Sequence, residues 1–237
     1  MIKLYHSIAF GNKNTWDDWH LIPKSRPVFN PPSVKTTYVE IPGGDGILDL
    51  TEALTGRVLY KNRVGSIEFY VENGFRDWTI LYSEIMAHLH GQKMTAVLED
   101  DPGFYYEGRF TVNAWRSDPQ RSTIVIDYDV DPYKRDSIGT DEEWLWDTFN
   151  FETDIIRYYK DLPVNGTLYV TVIGSAMLAV PTIEVSATGM NVTFEGITYD
   201  LKKGINQISD IVITEGENLL IFGGYGTVTI GNRGGML

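Results

Sequence analysis

The sequence predicts a mainly β protein, two β-rich units in series with one α-helix in the first. Three observations carry this. Short runs rich in Thr, Val, Ile and Tyr recur along the chain and end in Gly, Pro or Asn, as strands bounded by turns do. Residues 63–71 alternate, with Ile67, Phe69 and Val71 set against Ser66, Glu68 and Tyr70, and Ile124, Ile126, Tyr128 and Val130 alternate in the same way with Thr123, Val125, Asp127 and Asp129. A period of two marks a strand with one buried face. Helical spacing is found in one segment, where Trp78, Leu81, Tyr82, Ile85 and Leu89 fall on one face.

Residues 2–10 read as a first strand, and Asn14 to His20 as a strand or an extended loop. Pro23, Pro27, Pro31 and Pro32 follow. Each removes an N–H and restricts its predecessor, so this stretch is an extended ordered loop or an arm. Val34 to Ile41 is a strand, Pro42 to Gly46 a turn, and Ile47 to Leu50 a short strand. The helix begins after Asp77, a good N-cap, and stops before Gly91. At this length it needs its apolar face packed on a sheet. Lys93 to Leu98 is a strand and Glu99 to Gly103 an acidic turn, after which Phe104 to Trp115 pairs with Ser122 to Val130. The pattern breaks over Lys134 to Glu143, the candidate linker. Trp144, Trp146, Phe149 and Phe151 crowd together just beyond it, as a core or an inter-domain joint does. From Gly166 seven short strands follow: 167–173, 182–187, 190–194, 197–201, 205–213, 218–222 and 227–230. Turns at Glu195-Gly196, Lys203-Gly204 and Gly223-Gly224 divide them, and that spacing predicts a β-sandwich. No internal repeat is visible.

The chain has 237 residues, enough for one large all-β domain or two smaller ones, and 43% are hydrophobic. Its formal net charge is −12. Lys and Arg do not cluster, so there is no basic stripe for a nucleic-acid backbone. The acidity is uneven: residues 1–140 hold 15 Lys and Arg against 19 Asp and Glu, whereas residues 141–237 hold 5 against 13. Cysteine is absent, which excludes disulfides, thiolate-held zinc and thiol chemistry. The N-terminus lacks the apolar core of a signal peptide, and no apolar run approaches the ~20 residues of a membrane span. A chain made and folded in the cytoplasm is expected.

The residues of chemical interest do not combine. His88 and His90 are two apart on the helix and point to different faces, so they suit the helix C-terminus better than a shared metal. Glu99, Asp100 and Asp101 lack the spacing of a calcium loop and read as a solvated turn. A glycosidase needs two carboxylates across a cleft, and among 32 acidic residues nothing singles out a pair. The aromatic cluster at 144–151 reads less well as a sugar-stacking platform than as packing. No nucleophile elbow, phosphate loop, dinucleotide loop or zinc-protease motif occurs. No catalytic, cofactor-binding or metal-binding residue is assigned, and no enzyme activity is expected.

Several segments together resemble the distal tail proteins of siphophages and prophages of Gram-positive hosts. They are Asn14 to Pro27 (NTWDDWHLIPKSRP), Tyr38 to Gly56 (YVEIPGGDGILDLTEALTG), Tyr60 to Arg63 (YKNR), His88 to Met94 (HLHGQKM), Leu98 to Phe110 (LEDDPGFYYEGRF) and Ile126 to Lys134 (IDYDVDPYK). A looser likeness continues through Phe149 to Ile155 and Gly174 to Ile183. The resemblance implies a β-barrel or sandwich with one α-helix over residues 1–134, a linker over 135–143, and a galectin-like β-sandwich over 144–237. It implies a structural protein of the virion tail tip. The first domain would form a ring, usually a homohexamer, joining the tail tube protein to the tail-associated hub protein, with DNA passing through the channel without specific binding. The outer domain would help to hold receptor-binding proteins. The alternative is an adhesion module whose C-terminal sandwich binds a cell-surface saccharide. Trp16 to Pro32 and Pro42 to Thr55 are the expected contact segments of the ring.

Overall fold

A computed structural model describes residues 5–72, 77–118, 121–140 and 158–237. Trp144, Trp146, Phe149 and Phe151, with residues 141–143 of the expected linker, lie outside them. The architecture is mainly β, as the alternation predicts, with a single helix among the described residues. None of the described helix is long and apolar enough to cross a membrane. The chain divides into two compact units, residues 1–134 and 135–236.

The first unit is built on an antiparallel sheet. Its strands are β1 (Ile8–Phe10), β2 (Lys13–Asn14), β3 (Leu21–Pro23), β6 (Arg63–Val71), β7 (Gln92–Leu98), β8 (Phe104–Arg116) and β9 (Thr123–Val130), in the order β2-β1-β7-β8-β9-β6-β3. Two further strands, β4 (Tyr38–Glu40) and β5 (Ile47–Asp49), pair only with each other. The alternation of β6 and β9 turns Ile67, Phe69, Ile124 and Ile126 inward, opposite one another in register. The helix α1 (Trp78–Leu89) packs against β8 and shares their core, with Leu81, Ile85 and Leu89 buried. Asp77 caps its start by accepting hydrogen bonds from the Thr79 and Ile80 N–H groups. In β8 the register shifts between Val112 and Ala114, a bulge that leaves Trp115 half exposed beside Trp78 and Tyr82.

Two expectations change here. Of the first expected strand only Ile8–Phe10 is β among the described residues, because His6 takes a left-handed backbone (φ 53°) that breaks the ladder. Of the segment Asn14 to His20, Asn14 ends β2 and Thr15 to His20 is a closed turn, neither strand nor extended loop. Asn14 Oδ1 accepts the Trp16 and Asp17 N–H groups, and Asp18 holds Lys13 and the Asn14 N–H, which keeps its carboxyl below the usual range.

Strand β10 (Lys134–Asp136), which starts on the last residue of the first unit and runs into the second, pairs with β17 (Gly235–Met236). Thr140 is buried and exchanges hydrogen bonds with Ile230 and Asn232. So the described part of the 135–143 segment is tied by backbone bonds to residues 230–236. The main strands are β11 (Leu162–Gly174), β12 (Thr182–Val185), β13 (Met190–Phe194), β14 (Ile197–Leu201), β15 (Gly204–Gln207) and β16 (Gly216–Gly231). Strand β16 pairs along one side with the whole of β11. Its other side takes β13 at residues 220–223 and β12 at residues 228–231. The Gly223-Gly224 turn expected from sequence therefore lies within one continuous strand. Gly224 has a φ of 116°, at a place where a Cβ would stand 3.1 Å from Met190 Cα, so only glycine fits. The expected strand 205–213 ends at Gln207; Ile211 and Ile213 are buried by a turn and by an isolated bridge to Ala179. Val172, Val192, Leu220, Phe222 and Ile230 lead a core separate from that of the first unit.

Candidate assembly surface

The hairpin β4–β5 has no buried residue in either strand. Tyr38, Val39, Ile41, Ile47 and Leu48 are all exposed, and Leu54 is 97% exposed. Inside the hairpin the bonds are local: Leu50 N–H donates to Thr37 O, and Thr51 N–H to the Asp49 carboxylate, whose pKa is lowered by the Thr51 side chain first and by that N–H second. Its base is closed where Lys35 N–H donates to Leu59 O (2.8 Å) and Lys61 N–H to Ser33 O (2.7 Å), around a bridge between Val34 and Tyr60. A two-stranded ribbon that buries nothing is at best marginal alone. A cluster of large apolar side chains left in water marks a surface that another molecule covers. Residues 33–61 have both features.

The proline segment that precedes the hairpin is different. Phe29 is buried against Tyr106 (ring centroids 4.2 Å) and Tyr128 (4.7 Å). The Asn30 N–H donates to the Tyr128 hydroxyl, and the buried Arg63 guanidinium donates to the carbonyls of Asn30 (3.2 Å) and Pro132 (2.8 Å). Trp19 and Leu21 are fully buried. Of the two expected contact segments, Trp16 to Pro32 is thus bound largely into its own unit. Pro42 to Thr55 is the one turned outward. In the WDDWH motif Trp19 packs inside, edge-on to His88, whereas Trp16 stacks between Tyr5 (3.7 Å) and His20 (4.8 Å). Tyr105 and Tyr106 split as alternation requires, with Tyr106 the buried one.

The acidic turn is not a solvated one. Glu99 accepts the Ser7 N–H (2.7 Å) and hydroxyl, Asp100 is bonded by His6 Nδ1 (2.8 Å) and Arg26 Nε (3.0 Å), and Asp101 by Lys134 Nζ (2.6 Å). Burial pushes the Asp100 carboxyl up, but the hydrogen bonds from His6 and Arg26 outweigh it and hold the group below its ordinary value. Three adjacent carboxylates tie the N-terminal segment, the proline segment and the exit of the first unit to one turn. Alternation carries no signal for this, because the partners are up to 94 residues away. Of the two helix histidines, His88 Nε2 bonds Phe10 O (2.9 Å) and His90 caps the helix. Among the described residues no three His, Asp or Glu side chains are placed to share a metal ion.

No family model matches the chain, and no curated protein matches it in sequence. The comparison with solved structures does find a likeness. A crystal structure of the SPP1 Dit protein, described as a paradigm of the hub adsorption apparatus in phages infecting Gram-positive bacteria, superposes with a TM-score of 0.61 at 12% identity. The match covers 96% of this chain and 98% of that one. The fold of this chain is therefore a Dit-like fold.

Proposed function

We propose that the chain is a structural component of a phage tail tip, a ring-forming distal tail hub. The observation that carries the reading is the Dit-type fold over nearly the whole chain, matched to a protein described as part of a hub adsorption apparatus. The exposed hairpin 33–61 supports it independently. A closed ring needs unlike faces to meet around the circle, and a protruding apolar ribbon is one such face. Residues 1–134 form the ring, a homohexamer, between the tail tube protein and the tail-associated hub protein. The second unit faces outward toward receptor-binding proteins. The net charge of −12 suits a channel through which DNA passes without sticking. The reading assigns no reaction to the chain.

Light scattering across a concentration series, followed by negative-stain microscopy of the largest species, tests it. Rings with an open centre are expected, and their disappearance in an Ile47→Asp, Leu54→Asp double variant that keeps its fold. A chain that stays monomeric at every concentration, and that adds neither to a tail tube nor to the hub protein below it, overturns the proposal.

A further inference from the structure

Where asparagine or aspartate precedes glycine, the glycine nitrogen has no neighbouring side chain to hinder its approach to the preceding amide or carboxyl carbon. Attack there closes a five-membered succinimide. The sequence has three such pairs, Asp45–Gly46, Asn73–Gly74 and Asn165–Gly166. Asn73 and Gly74 lie outside the described residues. In an unstructured chain near neutral pH the amide reacts faster, because it is uncharged whereas the carboxylate repels the attacking electron pair. An indifferent fold would therefore leave Asn165 the first of the other two to change.

The fold is not indifferent. Asn165 and Gly166 sit inside β11, opposite Tyr225 and Gly224 of β16. The Tyr159 hydroxyl donates to Thr171 O and accepts the Ile173 N–H, so the odd-numbered residues of β11 turn their backbone groups away from β16 and the even-numbered ones toward it. From the other strand, Thr227 shows the same parity, since its N–H bonds the Ser186 hydroxyl and not β11. The Gly166 N–H, the group that would attack, is thus held in the ladder. Ring closure also needs residue 165 to leave the extended form that thirteen consecutive pairs impose. A group held in this way reacts only when its strand opens.

Asp45 and Gly46 stand at the other extreme, in the exposed connection between β4 and β5. No hydrogen bond among the described residues engages the Asp45 carboxylate or the Gly46 N–H. Gly46 takes a φ of 83°, and a Cβ built on it would meet nothing within 4 Å. We propose that Asp45–Gly46 is a site of spontaneous modification, isomerising to isoaspartate while Asn165–Gly166, the intrinsically faster pair, is preserved by its ladder. The Gly46 nitrogen bonds to Asp45 Cγ, and the carboxyl's hydroxyl leaves as water with the nitrogen's proton. Water then opens the ring at either carbonyl. Opening at the main-chain carbonyl leaves the chain running through Cβ and Cγ, one methylene longer, with the carboxylate now on Cα. Nothing is oxidised or reduced, and the water lost in closure is regained in opening. The lengthened link lies between Ile41 and Ile47, both exposed, at the end of the apolar ribbon. The proposal stands whether or not that ribbon is a ring contact.

The full-length chain is held folded for weeks at physiological temperature and near-neutral pH, beside a second portion held in urea. Peptide mapping reads each pair, isoaspartate by labelled methyl transfer from an isoaspartate-specific methyltransferase and amide loss by mass. In the folded chain isoaspartate is expected in the peptide that holds Asp45, and the peptide that holds Asn165 keeps its amide. In urea the order reverses, Asn165 reacting at least about tenfold faster than in the folded chain. Asp45→Glu lengthens the side chain so that the five-membered ring cannot close; it removes the signal at 45 and leaves the unfolding midpoint unchanged. Amide loss at Asn165 as fast in the folded chain as in urea overturns the proposal. So does a folded chain whose residue 45 stays unmodified, or a signal in that peptide that persists in the Asp45→Glu variant.

Discussion

Asn206 and Asn218 hold the same position in two turns of the same build. Asn206 Oδ1 accepts the Lys202 N–H, and its Nδ2 donates to the carbonyls of Lys202, Gly204 and Ile183. Asn218 Oδ1 accepts the Thr214 N–H, and its Nδ2 donates to the carbonyls of Thr214, Gly216 and Val172. In each case the last acceptor is the residue opposite the asparagine in the neighbouring strand. Both turns carry a left-handed glycine two residues earlier, Gly204 (φ 96°) and Gly216 (φ 91°). One side chain thus closes the turn and pins the strand that follows it.

Replacing Asn218 by Ala is therefore expected to cost about 1–3 kcal/mol, because Asn218 is buried and its loss strands an N–H and up to three carbonyls. Asn206→Ala is expected to cost less, since Asn206 is only half buried and water reaches the freed groups. Urea unfolding of the two variants measures both. Equal losses would mean that burial does not set the cost.

The two halves of the 16–61 region should respond oppositely to change. Phe29→Ala empties a site among Tyr106, Phe110 and Tyr128 and is expected to cost about 3–5 kcal/mol. Replacing residues 36–58 by a short turn between Lys35 and Leu59, whose backbones already meet, should change monomer stability by no more than about 0.5 kcal/mol. Thermal unfolding of dilute protein separates the two outcomes.

Asp100 makes the first unit sensitive to acid. Its folded carboxyl is held below the ordinary value, so its contribution is complete above the unfolded value, near 3.9, and is lost as pH falls through the folded one. Stability should decline below about pH 4, and Asp100→Asn should lose stability near neutrality and flatten that decline. Circular dichroism melts from pH 2 to pH 7 give the comparison. An unchanged acid limb in the variant would assign the effect to other carboxylates.

Glu195 and Gly196 form the two-residue connection between β13 and β14 with φ of 48° and 82°. Both are left-handed, a conformation that asparagine accepts more readily than glutamate. Glu195→Asn should stabilise the chain by up to about 1 kcal/mol, read as a raised urea midpoint at unchanged slope.

Much of this fold is legible in the residues themselves. The alternation of Ile67, Phe69 and Val71 and the spacing of Leu81, Ile85 and Leu89 locate β6 and α1 closely, because burial of one face dictates both. Misreadings fall where partners are distant in sequence. Gly223-Gly224 looks like a chain reversal, yet β11 continues beside it and the strand runs straight on in register. Glu99 to Asp101 looks solvated until His6, Arg26 and Lys134 arrive from elsewhere. The outward hairpin was visible as strand, turn, strand, but its exposure was not, since Val39 and Ile47 are residues that usually mark a core. The Gly-x-Asn signal at 204–206 and 216–218 was present in the sequence and is the one cue that periodicity passes over.

The long strand β16 also sets a schedule. It supplies a neighbour to β11, β12 and β13, and it follows all three in the order of synthesis. Strand β11 is made, and leaves the ribosome, before the strand it will pair with. The first unit is complete by then and free to fold, as N-terminal domains commonly do first. The nascent chain therefore passes through an interval in which one half is native and the other displays an unsatisfied edge thirteen residues long. That interval is when aggregation or chaperone capture would act on it.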